Sequence, residues 1–109
     1  DFIADYTYID DLIDGILGAL DHANHQFDVY NIASGVASTD FEVVEKIKVL
    51  LPNADISIGP GRNMFSKNIP IPDKGALNCD RAHNSFGYSA KFDIKKGFQQ
   101  YINCWDKKK

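Results

Sequence analysis

Between Ile9 and Leu20 the apolar residues fall at Ile9, Leu12, Ile13, Ile16, Leu17 and Leu20. These spacings of three and four draw one stripe down a helix. A helix marked this way needs a second layer to cover its stripe, which restricts the chain to folds that stack helix on sheet or helix on helix. Asp10 and Asp11 suit the positive end of the helix dipole, and His22 and His25 suit the negative end. Ahead of the helix, Asp5-Tyr6-Thr7-Tyr8-Ile9 is aromatic and β-branched and predicts a short strand. Behind it, Phe27-Asp28-Val29-Tyr30-Asn31-Ile32 alternates apolar and polar residues and stops at Ala33-Ser34-Gly35, which predicts a second strand. Strand, helix, strand is the outline of a parallel crossover.

Thr39-Asp40-Phe41-Glu42 has the form of a capping box, and Phe41, Val44, Ile47 and Leu51 carry a helical face until Pro52, so a helix is predicted over Asp40 to Leu51. Ala54 to Ile58 is a short strand candidate. From Gly59 to Leu77, three prolines and three glycines leave no periodicity. A stretch of that length reads as a binding loop, a lid or a disordered segment. A helix from about Asp80 to Phe86 is expected to end at Gly87. A last one, begun at Asp93, is expected to bury Ile94, Phe98, Ile102 and Trp105.

Composition narrows the function classes. In 109 residues, 44% are hydrophobic and 25% charged, which is one domain's worth and supports one modest core. With 12 Lys+Arg against 15 Asp+Glu, a net charge of -3 and no long basic run outside the tail Lys107, Lys108 and Lys109, the composition argues against a nucleic-acid surface and a basic membrane patch. No run approaches the roughly 20 apolar residues of a membrane span. The first residue is Asp1 rather than Met, which leads us to expect a piece of something longer, a processed product, or a chain whose start is not represented. Cys79 and Cys104 are expected to be reduced thiols, and neither forms part of a zinc motif.

Few residues converge on chemistry. Arg62 sits in Gly59-Pro60-Gly61-Arg62-Asn63, where glycines let backbone approach a ligand and a guanidinium can grip phosphate oxygens; a solvated loop arginine is the other reading. His22 and His25 lack a third metal ligand and read as helix-end residues. Phe92, Phe98, Tyr101 and Trp105 have helical spacing and read as core. The acidic cluster Asp5, Asp10, Asp11 and Asp14 reads as capping and solvated carboxylates. There is no Gly-x-Ser-x-Gly elbow and no Tyr with Lys four residues on.

In succession, Asp5-Tyr6-Thr7-Tyr8-Ile9-Asp10-Asp11-Leu12-Ile13-Asp14-Gly15, Val29-Tyr30-Asn31-Ile32-Ala33-Ser34-Gly35, the helix from Thr39, and Arg81-Ala82 followed by Phe86-Gly87-Tyr88 form a further pattern. It resembles the C-terminal portion of an extended short-chain dehydrogenase/reductase, of the NAD-dependent nucleotide-sugar epimerase and dehydratase family. The resemblance implies an α/β fold: the C-terminal portion of a Rossmann-type doubly wound fold plus a small α/β substrate-binding domain. Residues 1–37 would be the last crossover elements of the dinucleotide-binding domain, and 38–109 the substrate-binding domain. It further implies a region that holds a nucleotide diphosphate sugar for C4 oxidation to a keto intermediate, with Tyr6, Arg62 and Asn63 as substrate-binding residues and no catalytic residue in this segment. NAD would be bound mainly by the N-terminal portion of the family's fold, whose glycine loop and Tyr-x-x-x-Lys pair this sequence does not contain. The implied setting is a cytoplasmic homodimer in which the N-terminal dinucleotide-binding domain of the same protein is a partner. The alternative is a non-catalytic binding or assembly module derived from that fold; on either reading the first helix and the Phe27 to Ile32 segment alone should seek a partner. The sequence departs from the family at Ala4, where an arginine is usual, at Met64 and Phe65, where an acidic residue follows the second arginine, and at Asn78 and Ala90.

Overall fold

The apolar stripe of the first helix faces solvent. This helix, α1 (Ile9–Asp21), belongs to a computed structural model that describes residues 2–61 and 64–108. Ile9, Leu12, Ile13, Ile16, Leu17 and Leu20 are all exposed, Leu20 at 74%, whereas Asp11 and Gly15 are buried. Close approach explains which side packs. A Cβ on Gly15 would lie 2.3 Å from Ile32 Cγ2, and one on Gly18 would lie 2.9 Å from the Phe86 ring. The helix therefore leans on its neighbours through its small-residue side and leaves the bulky side free.

The strand ahead of α1 is β1 (Ile3–Asp5), shifted toward the N-terminus from the predicted Asp5 to Ile9. It pairs antiparallel with β2 (Ala37–Thr39), Ala4 opposite Ser38, so the crossover outline predicted from the sequence is not formed among the described residues. The ladder also joins the two sides of the expected boundary at residue 37. Phe27 to Ile32 is not a strand, and neither is Ala54 to Ile58. Alternation marks a segment able to pair, but a ladder needs a neighbouring edge, and no backbone hydrogen bond joins residues 27–32 to another segment among the described residues.

The helix α2 (Asp40–Leu50) follows β2 directly and starts with the predicted capping box: Glu42 N–H donates to Thr39 Oγ1, and Thr39 N–H donates to Glu42 Oε2. Within the Gly59 to Leu77 stretch, where no regular structure is expected, β3 (Met64–Ser66) and β4 (Ile69–Pro70) form a small hairpin. Strands this short show no alternation, and the register slips between Met64 and Ser66. The helix α3 (Asp80–Phe86) ends at Gly87, whose φ of 75° is the left-handed conformation expected at a helix C-terminus.

Asp93 caps the last helix, α4 (Ile94–Asp106), by accepting from Lys96 N–H at 2.7 Å. Its buried residue is Gly97, which sits against the Tyr8 ring. The reading of its aromatic stripe as core is corrected at two positions, since Tyr101 and Trp105 are each 57% exposed. Gly97 lets the N-terminal half of the helix approach Tyr8, and the C-terminal half is left uncovered.

The apolar residues that are buried, Ala33, Ala82 and Tyr88, form a small core. The accessible surface of 8061 Å² exceeds the roughly 6,000 Å² expected for a folded monomer of this mass. The radius of gyration is 16.5 Å, against about 13 Å for a compact chain of this length. Six exposed apolar residues of α1, and Tyr101 and Trp105 of α4, contribute to this surface.

Candidate functional site

Tyr6 stands directly after β1 and is the one sequence-predicted site residue within the described structure; Arg62 and Asn63 lie outside the described residues. Its hydroxyl donates to Asp40 Oδ1, at the first turn of α2. Burial, together with the bond to Asp40 and that residue's negative charge, pushes the Tyr6 phenol up to about 12. Near neutral pH the phenol keeps its proton, so Tyr6 offers a fixed aromatic wall rather than a general base.

Tyr6 lines two clefts, which also share Asp93 and Ile94. One, of about 230 Å³, runs between Tyr6-Thr7-Tyr8 and the N-terminal half of α4, where Ile94, Gly97, Phe98 and Tyr101 line it. The other, of about 330 Å³, is more polar and includes Ser34, Ser38, Lys46 and Lys91. Aromatic walls with few polar groups suit a planar ring, and a cleft bordered by lysines suits an anion.

Asp5, immediately before Tyr6, gathers backbone from two distant parts of the chain. Its Oδ1 accepts from Ser34 N–H at 3.0 Å and from Ser34 Oγ, and its Oδ2 accepts from Gly35 N–H at 2.9 Å and Leu77 N–H at 3.0 Å. Burial alone would raise the carboxyl, but the hydrogen bonds from Ser34, Leu77 and Gly35 outweigh it and lower the pKa below its ordinary value. Lys74 N–H donates to Ile3 O at 2.8 Å, a second tie between the same loop end and β1. Nearby, the Tyr88 hydroxyl donates to Ala33 O at 2.7 Å; burial, with the surrounding acidic residues, pushes that phenol up to about 12 as well.

Asp11 corrects the reading of the acidic cluster as capping and solvated. It is 1% exposed and accepts from Lys91 N–H at 2.9 Å and Phe92 N–H at 3.0 Å, clamping α1 to the segment that leads into α4. The Asp10-Asp11 pair at a helix start conceals this role, because only tertiary structure shows which of the two turns inward. His25 is accounted for at the helix end: its Nε2 lies 2.9 Å from Ala19 O and its Nδ1 lies 3.0 Å from the Tyr30 hydroxyl. Among the described residues no group of His, Cys, Asp and Glu could hold a metal ion, and no helix is long and apolar enough to cross a membrane.

No protein-family model matches the chain. UDP-glucuronate 4-epimerase 2 of Arabidopsis thaliana is 30% identical over 118 residues, a match that covers 93% of this chain and 25% of the relative. Three solved structures share the fold. RMD from Pseudomonas aeruginosa, complexed with NADPH, has a TM-score of 0.72 at 18% identity, over 100% of this chain and 34% of its own. WbmG from Bordetella bronchiseptica, in complex with NAD and UDP, has a TM-score of 0.70 at 20% identity, over 98% of this chain and 32% of its own. The dTDP-glucose 4,6-dehydratase of Bacillus anthracis, in complex with NAD, has a TM-score of 0.65 at 24% identity, over 97% of this chain and 32% of its own. The chain thus spans about a quarter of the curated relative and a third of each solved one. In fold, and in sequence by its likeness to the epimerase, the chain resembles the C-terminal portion of the extended short-chain dehydrogenases/reductases of the nucleotide-sugar epimerase and dehydratase family.

Proposed function

We propose that this chain is the substrate-binding region of an NAD-dependent nucleotide-sugar epimerase or dehydratase, and that it holds the nucleotide diphosphate sugar while C4 is oxidised to a keto intermediate. The observation that carries this reading is the likeness to a UDP-glucuronate 4-epimerase across 93% of the chain. Tyr6 would form a wall of the nucleotide site, and Arg62 with Asn63, in the loop after Gly61, would take the diphosphate; a guanidinium fork matches phosphate oxygens bidentately. The residues present do not form a dinucleotide site, because Gly59-Pro60-Gly61 is followed by neither a third glycine nor a helix. Cofactor binding and hydride chemistry are therefore assigned to the rest of the enzyme, and this chain's part is to bind and orient.

The partner that completes the site is the dinucleotide-binding domain, with residues 1–37 on its side and 38–109 as the substrate domain. The uncovered stripe of α1 and the unpaired Phe27 to Ile32 segment support this assignment, since a sheet would satisfy both at once. The surplus surface also exceeds the roughly 800 Å² per partner that a standard interface takes. A cytoplasmic homodimer fits the family and the free thiols of Cys79 and Cys104.

The test is UDP-sugar binding by the full-length protein and by its Arg62→Ala variant, measured by calorimetry. The variant should lose about 2 to 5 kcal/mol. An unchanged dissociation constant removes Arg62 from the site, and binding without turnover in the full-length protein favours a non-catalytic module.

A further inference from the structure

The Asp5 carboxylate joins three stretches of backbone: the strand that presents Tyr6, the Ser34-Gly35 turn, and Leu77 at the end of the long Gly59 to Leu77 loop. We propose that Asp5 is a positioning residue that latches the end of this loop to the Tyr6 strand and so sets the conformation in which the loop meets substrate. The inference rests on the reading that the loop and Tyr6 contact a nucleotide sugar, and it deepens that reading by naming what holds the two together.

The bonding is divided between the two oxygens. Oδ1 serves Ser34 and the Thr7 hydroxyl, while Oδ2 serves Gly35 and Leu77. An asparagine oriented by Ser34 keeps the first set and presents an NH₂ group, which cannot accept, to the second. Asp5→Asn is therefore a selective release of Gly35 and Leu77 rather than a deletion of the whole junction. Leu77 is 46% exposed, so slow exchange of its amide can come from the latch rather than from burial.

Amide hydrogen exchange and UDP binding by the full-length protein test the proposal together. In the unmodified protein the Leu77 amide should exchange slowly; free exchange there overturns the latch without any variant. In Asp5→Asn the Leu77 and Gly35 amides should exchange at least about tenfold faster, with α4 amides unaffected, and UDP affinity should fall by about tenfold. KM for a UDP-sugar should rise with it while kcat changes little. A freed Leu77 amide with unchanged UDP affinity overturns the positioning role. Unmodified protein that binds no UDP refutes the functional reading instead, and the exchange measurement still decides whether the latch exists. Should Asp5→Asn lose α4 protection as well, Asp5→Glu provides the second variant: it keeps an acceptor carboxylate, and recovered α4 protection with Leu77 slowed again supports the latch, whereas Leu77 still in free exchange overturns it.

Discussion

The junction around Asp5 and Asp11 and the bulky side of α1 lie within a few residues of each other in sequence, yet they hold the molecule together in opposite ways. At the junction, two carboxylates fasten strand, turn and loop through backbone N–H groups. On α1, six large apolar side chains remain 37 to 74% exposed. Buried and half-buried acceptors thus tie distant segments together at the junction, while much of the hydrophobic surface of α1 stays exposed.

Substitutions on either side should separate the two regions. The largest effect is expected from Asp11→Ala, which deprives the Lys91 and Phe92 N–H groups of their acceptor and should cost about 3 kcal/mol in urea unfolding. Gly15→Ala comes next. The added Cβ meets Ile32 at 2.3 Å, and the strain should outweigh the gain in helix propensity, for a net loss of about 1 kcal/mol. Leu17→Lys is expected to change the stability of the 109-residue chain by less than about 0.5 kcal/mol. In a protein that contains the dinucleotide-binding domain it should instead weaken the docking of the two parts, read as lower protection of α1 against exchange. A large loss of stability from Leu17→Lys in the chain alone would show that the stripe has an internal partner after all.

Sequence reading succeeded where the deciding signals are local. The capping box at Thr39 and Glu42, the left-handed Gly87 and the Asp93 cap each act within one turn of helix, so α2, α3 and α4 could be placed from their own residues. It failed where the deciding partner is remote. Phe27 to Ile32 has the pattern of a strand, but pairing is a property of two segments, and no backbone hydrogen bond joins it to another segment among the described residues. Periodicity located the stripe of α1 without revealing that Gly15 and Gly18 mark the side that packs. At the candidate site, Tyr6 was legible through the family pattern, whereas the role of Asp11 depends on residues 80 and 81 positions away. Arg62 and Asn63 rest on sequence alone.

The acceptor at Asp5 also bears on how the chain assembles. Its bonds reach 29, 30 and 72 residues along the sequence, so large loops must close before any of them can form. Helix α2, nucleated by a cap three residues wide, carries no such cost. Local helices can thus precede the junction, which forms only once β1, the Ser34 turn and the end of the long loop have met. The more polar of the two clefts that Tyr6 lines includes Ser34, so its full lining is assembled only when that turn meets β1.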